Sequence, residues 1–462
     1  MASRRTRPDQ DDLLAHGDGL PDGTPASAAR RAPFSGNPLV GARGQRTQQR
    51  ILDAALLVFA EAGYHASGID RITKAAGCSR ASFYQYFAGK EDVFRHLAGR
   101  VARQMGASTE LLGTLTGDAA GWSTLRGWVD RYAGIYTRYE PVFRAFQAAV
   151  DTDEVIASAA VRIGQRNVVG IRSRLATTAL PPRRLDPVIA LLLECLPRAF
   201  ADARIVPLST SPAESDARLA DAVTDVVHRT LFGLQPDVNA HPPPGPAPPA
   251  LEFSPVMQAA LAEDPVARQA NAAGRRTLEA LLAAGRDMFV SRGYHRSRID
   301  DLVAAAGVSH GAFYRYFESK DQFVHVLALR ALRAVSTTFA GVPDALTLDG
   351  TTGQAGLRRW LRRYNAQQAA EAAMIRVWVD AAHHDASVGS DAAAVLDWGR
   401  RRMTRFLRPR DFGDVLGDVP GDVDSEAMVL VALLGTFGSR ERSAAAIDAA
   451  AHIIERGFLA QV

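Results

Sequence analysis

The chain repeats itself. The stretch FAEAGYHASGIDRITKAAGCSRASFYQYFAGKED, starting at Phe59, is matched without a gap by FVSRGYHRSRIDDLVAAAGVSHGAFYRYFESKDQ, starting at Phe289, at an offset of 230 residues. Upstream, Arg46-Thr47 faces Arg276-Thr277 and Ile51-Leu52 faces Leu281-Leu282. Downstream the match weakens to LRGWVDRY at 125–132 against LRRWLRRY at 357–364. Such self-similarity must be accounted for before any local motif, and it makes the halves a duplicated unit rather than two unrelated domains. At about 100–200 residues per domain, 462 residues accommodate two to four domains.

Low-complexity segments frame the copies. Residues 1–43 carry Pro, Gly, Ala, Asp and Arg without apolar periodicity, which predicts a disordered basic arm. Around 235–270 lies HPPPGPAPPA (241–250), a proline density that forbids helix and favours an extended spacer. The resulting division is 44–95 and 96–234 for the first copy, and 271–325 and 326–462 for the second.

Both copies read as helical. Ile51, Ala54, Ala55, Val58 and Phe59 recur at three-and-four spacing, the mark of an amphipathic helix, which Gly63 ends. Ser67 then stands as N-cap before Ile69, Ile72 and Ala76. Gly77-Cys78-Ser79 is a tight break, and Arg80 to Phe87 is a second short helix with Phe83 and Phe87 turned to the core. Gly89-Lys90 opens the next helix, with Glu91 and Asp92 in the first turn where carboxylates are favoured. The second copy repeats these steps with Ser297, Gly307-Val308-Ser309, Phe313, Phe317 and Ser319-Lys320. The segments 96–234 and 326–462 are rich in Ala, Leu, Val and Arg and show no strand-like alternation. The fold class expected is all-α.

Two short helices joined by a three-residue turn containing Gly form a helix-turn-helix. In that arrangement the second helix presents its N-terminal residues to base edges in the DNA major groove. The run GYHASGIDRITKAAGCSRASFYQYFAGKED resembles the DNA-binding domain of TetR-family regulators, and the second copy resembles it more closely because Gly311 stands where the first has Ala81. The resemblance implies two tandem TetR-like units, each a three-helix DNA-binding domain followed by a larger helical ligand and dimerisation domain. It also implies phosphate-contacting roles for Ser67, Tyr84, Lys90, Ser297, Tyr314 and Lys320, with Thr47, Thr277, Tyr86 and Tyr316 as further candidates. Lys90 and Lys320 are two of only three lysines, Lys74 being the other, in a chain whose positive charge is otherwise arginine, a bias expected of GC-rich codon usage.

Base-facing candidates are Arg80, Ser82 and Gln85 in the first copy and His310, Ala312 and Arg315 in the second. Phosphate contacts position a protein on DNA and base contacts specify the sequence. The phosphate set is nearly the same in both copies and the base set differs at every place. Arg suits guanine and Gln adenine. The expected function is therefore a sequence-specific transcriptional regulator, a repressor released by a small-molecule effector, which reads two different half-sites of a double-stranded operator as an intramolecular pseudo-dimer. A homodimer with four DNA-binding units is the other assembly. The alternative reading leaves DNA binding to one copy and makes the second a dimerisation scaffold.

The resemblance further implies a four-helix dimer interface, placed by position at 186–233 and 391–460. Trp128, Tyr132 and Phe146 in the first copy, and Trp360, Tyr364 and Trp378 in the second, are candidates to line an effector pocket, although aromatics at helical spacing are more often core. His383-His384-Asp385 is the one cluster of metal-ligand residue types, and it reads as a loop or solvated surface. Cys78 and Cys195 make neither a metal spacing nor a disulfide framework. No Walker loop, dinucleotide fingerprint or nucleophile elbow is found, so neither an enzyme nor a bound cofactor or metal is expected. The N-terminal residues lack a signal-peptide h-region and no uninterrupted apolar run reaches the ~20 residues of a bilayer span. The expected location is cytoplasmic, with no membrane partner.

Overall fold

The computed structural model describes residues 41–235, 248–254, 271–292, 297–342, 350–382, 386–407, 422–439 and 442–460, with 238 and 258. Residues 1–40 of the basic arm, much of the Pro-rich linker and the His383-His384-Asp385 cluster lie outside them, while Ala42 and Arg43, expected in the arm, open the first helix. The described residues are helical. The first half runs α1 (Ala42–Ala66), α2 (Ile69–Ala76), α3 (Arg80–Tyr86), α4 (Lys90–Glu110), α5 (Ala119–Thr152), α6 (Glu154–Arg172), α7 (Pro182–Ile205) and α8 (Pro212–Phe232). The second runs α9 (Ala272–Arg292), α10 (Ile299–Ala306), α11 (His310–Tyr314), α12 (Lys320–Ala340), α13 (Gly350–Ala382), α14 (Ala386–Leu407), α15 (Val423–Gly438) and α16 (Ala444–His452), the last passing into a π-helix at Ile453–Phe458. Among the described residues, β pairing is limited to a parallel bridge between Leu115 and Leu175.

The contacts gather these helices into two compact units that cut across the sequence halves. One lies within Met1–Gly113 and Gly127–Arg174, the other within Thr114–Arg126 and Leu175–Val462. In the first, Ile51, Leu52, Ala55, Phe59, Ile72, Phe83, Phe87, Val93, Phe94 and Leu97 form one buried core. Leu281, Leu282, Phe289, Leu302, Phe313, Phe317, Phe323, Val324 and Leu327 form its counterpart in the second. The cores occupy matching positions: Ile51 and Ile72 become Leu281 and Leu302, Ala55 becomes Gly285, and Val93-Phe94 becomes Phe323-Val324. The bulkier Phe323 is accommodated by Gly285, which replaces Ala55: a Cβ at 285 would lie 2.4 Å from the Phe323 ring.

In the second unit, the α7–α8 hairpin of the first half packs against α15, α16 and the π-helix of the second half. The expected interface segments thus meet within one chain. α14, which holds the start of the segment expected at 391–460, packs instead on α13 and α15. Ion pairs join the halves: Arg184 Nε to Asp448 Oδ2 at 2.7 Å, Arg218 Nε to Asp422 Oδ2 at 2.6 Å, and the buried Arg229 Nη2 to Glu426 Oε1 at 2.9 Å. Gly457 permits the close crossing of α8 and the π-helix, whose carbonyl there accepts a bond from Arg229 Nε at 2.8 Å.

Part of the proline-rich segment is not a free spacer. Ser254 Oγ donates to Asp391 at 2.8 Å, Leu251 N to Asp397 at 3.0 Å, and Arg401 to Pro248 O at 3.2 Å, fastening 248–254 along α14. One segment, Gln322–Ala340, is long and apolar enough by composition to cross a membrane. It is interrupted by Arg330 and Arg333, and half of it is buried inside the fold, as in a core helix.

Candidate nucleic-acid interface

The turn between the two short helices follows from backbone sterics. Gly77 adopts φ +61° and Gly307 φ +66°, the left-handed region that costs an L side chain about 1–2 kcal/mol. There the chain closes α2 and α10: Cys78 N bonds Thr73 O and Val308 N bonds Val303 O, both at 3.0 Å. Ser79 and Ser309 then cap the next helix, accepting from Ser82 N at 3.1 Å and Ala312 N at 3.3 Å. By sequence these serines stand only as part of a break. Their signal was a Ser immediately before the first residue of an apolar-periodic stretch.

Each second helix is held from beneath. Phe83, Phe87, Phe313 and Phe317 are fully buried, with ring centroids 5.8 Å apart in the first pair and 5.4 Å in the second. Cys78 is half-buried against the same core, and burial raises its thiol pKa. On the outer face, Arg80, Gln85, His310 and Arg315 are exposed and Ser82 and Ala312 are half-buried. The first outward residue of each helix is fixed in the same way. Arg80 Nε pairs with Asp70 Oδ1 at 2.7 Å, and His310 Nε2 with Asp300 Oδ1 at 3.0 Å.

Several phosphate candidates occupy a similar outer position. Tyr84 is half-buried, its ring edge-on to Phe83 at 5.5 Å. Tyr314 repeats that contact to Phe313 at 5.4 Å and is 56% exposed. Thr47 and Thr277 donate to the carbonyls of Arg43 and Ala273 on their own helices, both at 3.2 Å.

Other candidates are turned inward. Ser67 is buried and donates to Gly63 O at 2.6 Å, and Ser297 is equally buried. Neither caps the following helix, whose N-cap residues are Gly68 and Arg298. The hydroxyl of Ser67 instead answers carbonyls that α1 leaves unpaired at its end, where Gly63 breaks the helix at φ +72°. Lys90 Nζ donates to Tyr64 O at 2.9 Å and lies 4.6 Å from the Tyr64 ring centroid, a cation–π contact, and burial lowers its pKa. Lys320 Nζ donates to Ser297 O at 3.3 Å. Both lysines therefore clasp the loop between the first two helices of their unit. Tyr86 is half-buried against the core, and Tyr316 donates its hydroxyl to Gly274 O at 3.2 Å.

Each helix-turn-helix is tied to its larger helical region by arginine. Arg144 on α5 donates to Phe59 O at 3.3 Å, and Arg95 pairs with Asp153, the N-cap of α6, at 3.1 Å. In the second copy Arg286 on α9 pairs with Glu371 on α13 at 3.0 Å. Of the pocket candidates, Trp360 lines a cavity of about 550 Å³ with Thr337, Thr338, Gly341, Arg363 and Gln367. Tyr364 is buried and stacks on Trp360 at 5.1 Å. Trp128 and Tyr132 are buried 6.0 Å apart, Trp128 Nε1 has no hydrogen-bond partner, and Phe146 is half-buried. The side chain of Trp378 lies outside the described residues. No cluster of three metal-ligating side chains occurs among the described residues.

The family profile described as "Bacterial regulatory proteins, tetR family" matches twice, at residues 51–97 and 281–327. The chain is 27% identical over 161 residues to the transcriptional regulator AcuR of Cereibacter sphaeroides, covering 32% of this chain and 69% of that protein. It is 29% identical over 113 residues to the transcriptional repressor AcnR of Corynebacterium glutamicum, covering 23% of this chain and 58% of the relative. With the fatty acid metabolism regulator protein of Bacillus subtilis it shares 40% over 60 residues, 12% of this chain and 31% of the relative. The two matches fall on the two helix-turn-helix cores described above, in the same register, and the chain carries two tandem DNA-binding domains of the tetR family of bacterial regulatory proteins.

Proposed function

We propose that the chain is a transcriptional repressor that binds an operator of two unlike half-sites, as a pseudo-dimer formed by a single chain. One observation carries this reading: two recognition helices on matching buried cores turn different residues outward, Arg80, Ser82 and Gln85 in one and His310, Ala312 and Arg315 in the other. Identical outer faces would read identical sequence, and unlike faces select unlike half-sites. The packing of α7 and α8 on α15 and α16 within one chain supports the assembly. Phosphate contact falls to Tyr84, Tyr314, Thr47 and Thr277, with Ser67, Ser297, Lys90, Lys320, Tyr86 and Tyr316 bracing the loops behind them. Selection of binding sites from random DNA with the full chain should return an asymmetric site, with half-sites about one helical turn, ~34–36 Å, apart. A perfect palindrome would overturn the proposal.

A small-molecule effector completes the reading. The cavity beside Trp360 lies between α12 and α13, and α13 carries Glu371, the partner of Arg286 on the first helix of the second DNA-binding domain. A ligand that shifts α13 acts on that domain through this pair, the coupling of two sites that release requires.

The scaffold reading of the second copy draws on the shortness of α11, which spans five residues, and on the engagement of Tyr316 by Gly274. Replacing Tyr314 and Arg315 together by alanine separates the two. Loss of operator affinity supports reading by both copies, and intact affinity supports the scaffold.

A further inference from the structure

The ion pairs between the two halves form a pattern that a symmetric interface does not require. The α7–α8 and α15–α16 hairpins are counterparts, so each corner of the bundle has a mate in which the halves exchange roles. At one corner Arg184, near the start of α7, meets Asp448 in α16. At the mate, Asp422, the N-cap of α15, meets Arg218 in α8, with Nε at 2.6 Å and Nη2 at 2.9 Å. The first half supplies arginine at both corners and the second half aspartate at both. The buried Arg229–Glu426 pair has the same polarity, and Arg442 with Glu194, at 2.9 Å, has the opposite one.

We infer that this polarity is a pairing code: the α7–α8 face of the first half accepts the α15–α16 face of the second and rejects a copy of itself. In a first-with-first pairing, Arg184 would face Arg218. In a second-with-second pairing, Asp422 would face Asp448, whose charge Arg358 of the same half offsets in part at 3.1 Å. Like charges at partly buried corners are repulsive, and specificity between related partners commonly rests on such repulsion. Arg218 and Asp422 are 10% and 17% exposed, so solvent screens them little. The occupant of the face is thus the other half of this chain. The inference rests on the single-chain pairing proposed above and not on DNA reading.

The test is a cycle of Arg218→Asp, Asp422→Arg and the double variant in the full chain, followed by thermal unfolding and light scattering. Asp422 also caps α15 by accepting from Ser425 N, so the coupling between the two changes is read rather than either loss alone. Each single variant should lower the melting midpoint by about 2–4 °C or more, and the double should melt above either single at a one-chain mass. Additive losses at a one-chain mass would overturn the code and leave the pseudo-dimer standing. A two-chain mass with the coupling intact would overturn the single-chain pairing and keep the code. Should these variants fail to fold, Arg184→Asp against Arg184→Gln reads the more exposed corner. The aspartate variant should melt lower, and equal midpoints would overturn the code.

Discussion

Arg80 and Asp70 are held 2.7 Å apart across the turn of the first helix-turn-helix, and His310 and Asp300 repeat the relation at 3.0 Å in the second. Both pairs are exposed and contribute little to stability. Their consequence is aim, because the aspartate sets the direction of the first outward residue of the recognition helix. Asp70→Asn should therefore raise affinity for non-specific DNA, by removing a negative charge near phosphate, while lowering discrimination at the base that Arg80 faces. A bidentate base contact is worth about 1–3 kcal/mol. Competition binding against single-base operator variants measures the loss, and unchanged discrimination would remove the aiming role.

The Gly285–Phe323 packing gives a sharp stability prediction. Gly285→Ala places a methyl 2.4 Å from the Phe323 ring and should destabilise by about 1–3 kcal/mol, as overpacking does. Adding Phe323→Val together with Val324→Phe recreates the Ala55, Val93 and Phe94 combination of the first copy and should recover stability relative to Gly285→Ala. Chemical denaturation of the parent and the two variants checks the order.

His96 makes the first unit sensitive to pH. Its Nδ1 lies 2.9 Å from Asp92 O and 3.2 Å from Asp92 Oδ1. Burial favours the neutral ring, but the bonds to Asp92 outweigh it and raise the pKa above 6.5. A raised pKa means that the folded state holds the proton more tightly than the unfolded chain. The stabilisation is fully present below about pH 6.5 and is lost as pH rises through the folded-state value. His96→Val, the residue at the corresponding position 326, should flatten the pH dependence of the melting midpoint between pH 6 and 8, roughly the range where histidine titrates.

Arg229 and Glu426 are 3% and 1% exposed, so removing one leaves the other buried without its ion-pair partner. Arg229→Leu should cost about 3–5 kcal/mol, and adding Glu426→Leu should recover much of it, because an uncompensated buried charge is worse than an apolar pair. Urea unfolding of both variants tests this. A double variant no more stable than the single would show that the π-helix contact of Arg229 at Gly457 O dominates instead.

The duplication, the helical class and the two helix-turn-helix motifs were legible because they rest on local rules: apolar spacing and a left-handed glycine at the turn. The outward positions were legible too, since Phe83 and Phe87 fix which face of a short helix is buried. The inward turn of Lys90 and Ser67 was not. Whether an ammonium faces phosphate or the end of α1 depends on where Tyr64 O is left unpaired, and that is set by the break at Gly63.

The pairing of the halves divides in the same way. The amino-acid order by itself determined that there are two copies and that their recognition helices carry different residues. Only the tertiary structure decided that α7 and α8 of one copy close on α15 and α16 of the other, with Arg218 on Asp422 and Arg184 on Asp448. These partners lie some 200 residues or more apart. No periodicity links such distant positions, and they meet only because apolar helix faces must find one another before the charges at the corners can choose.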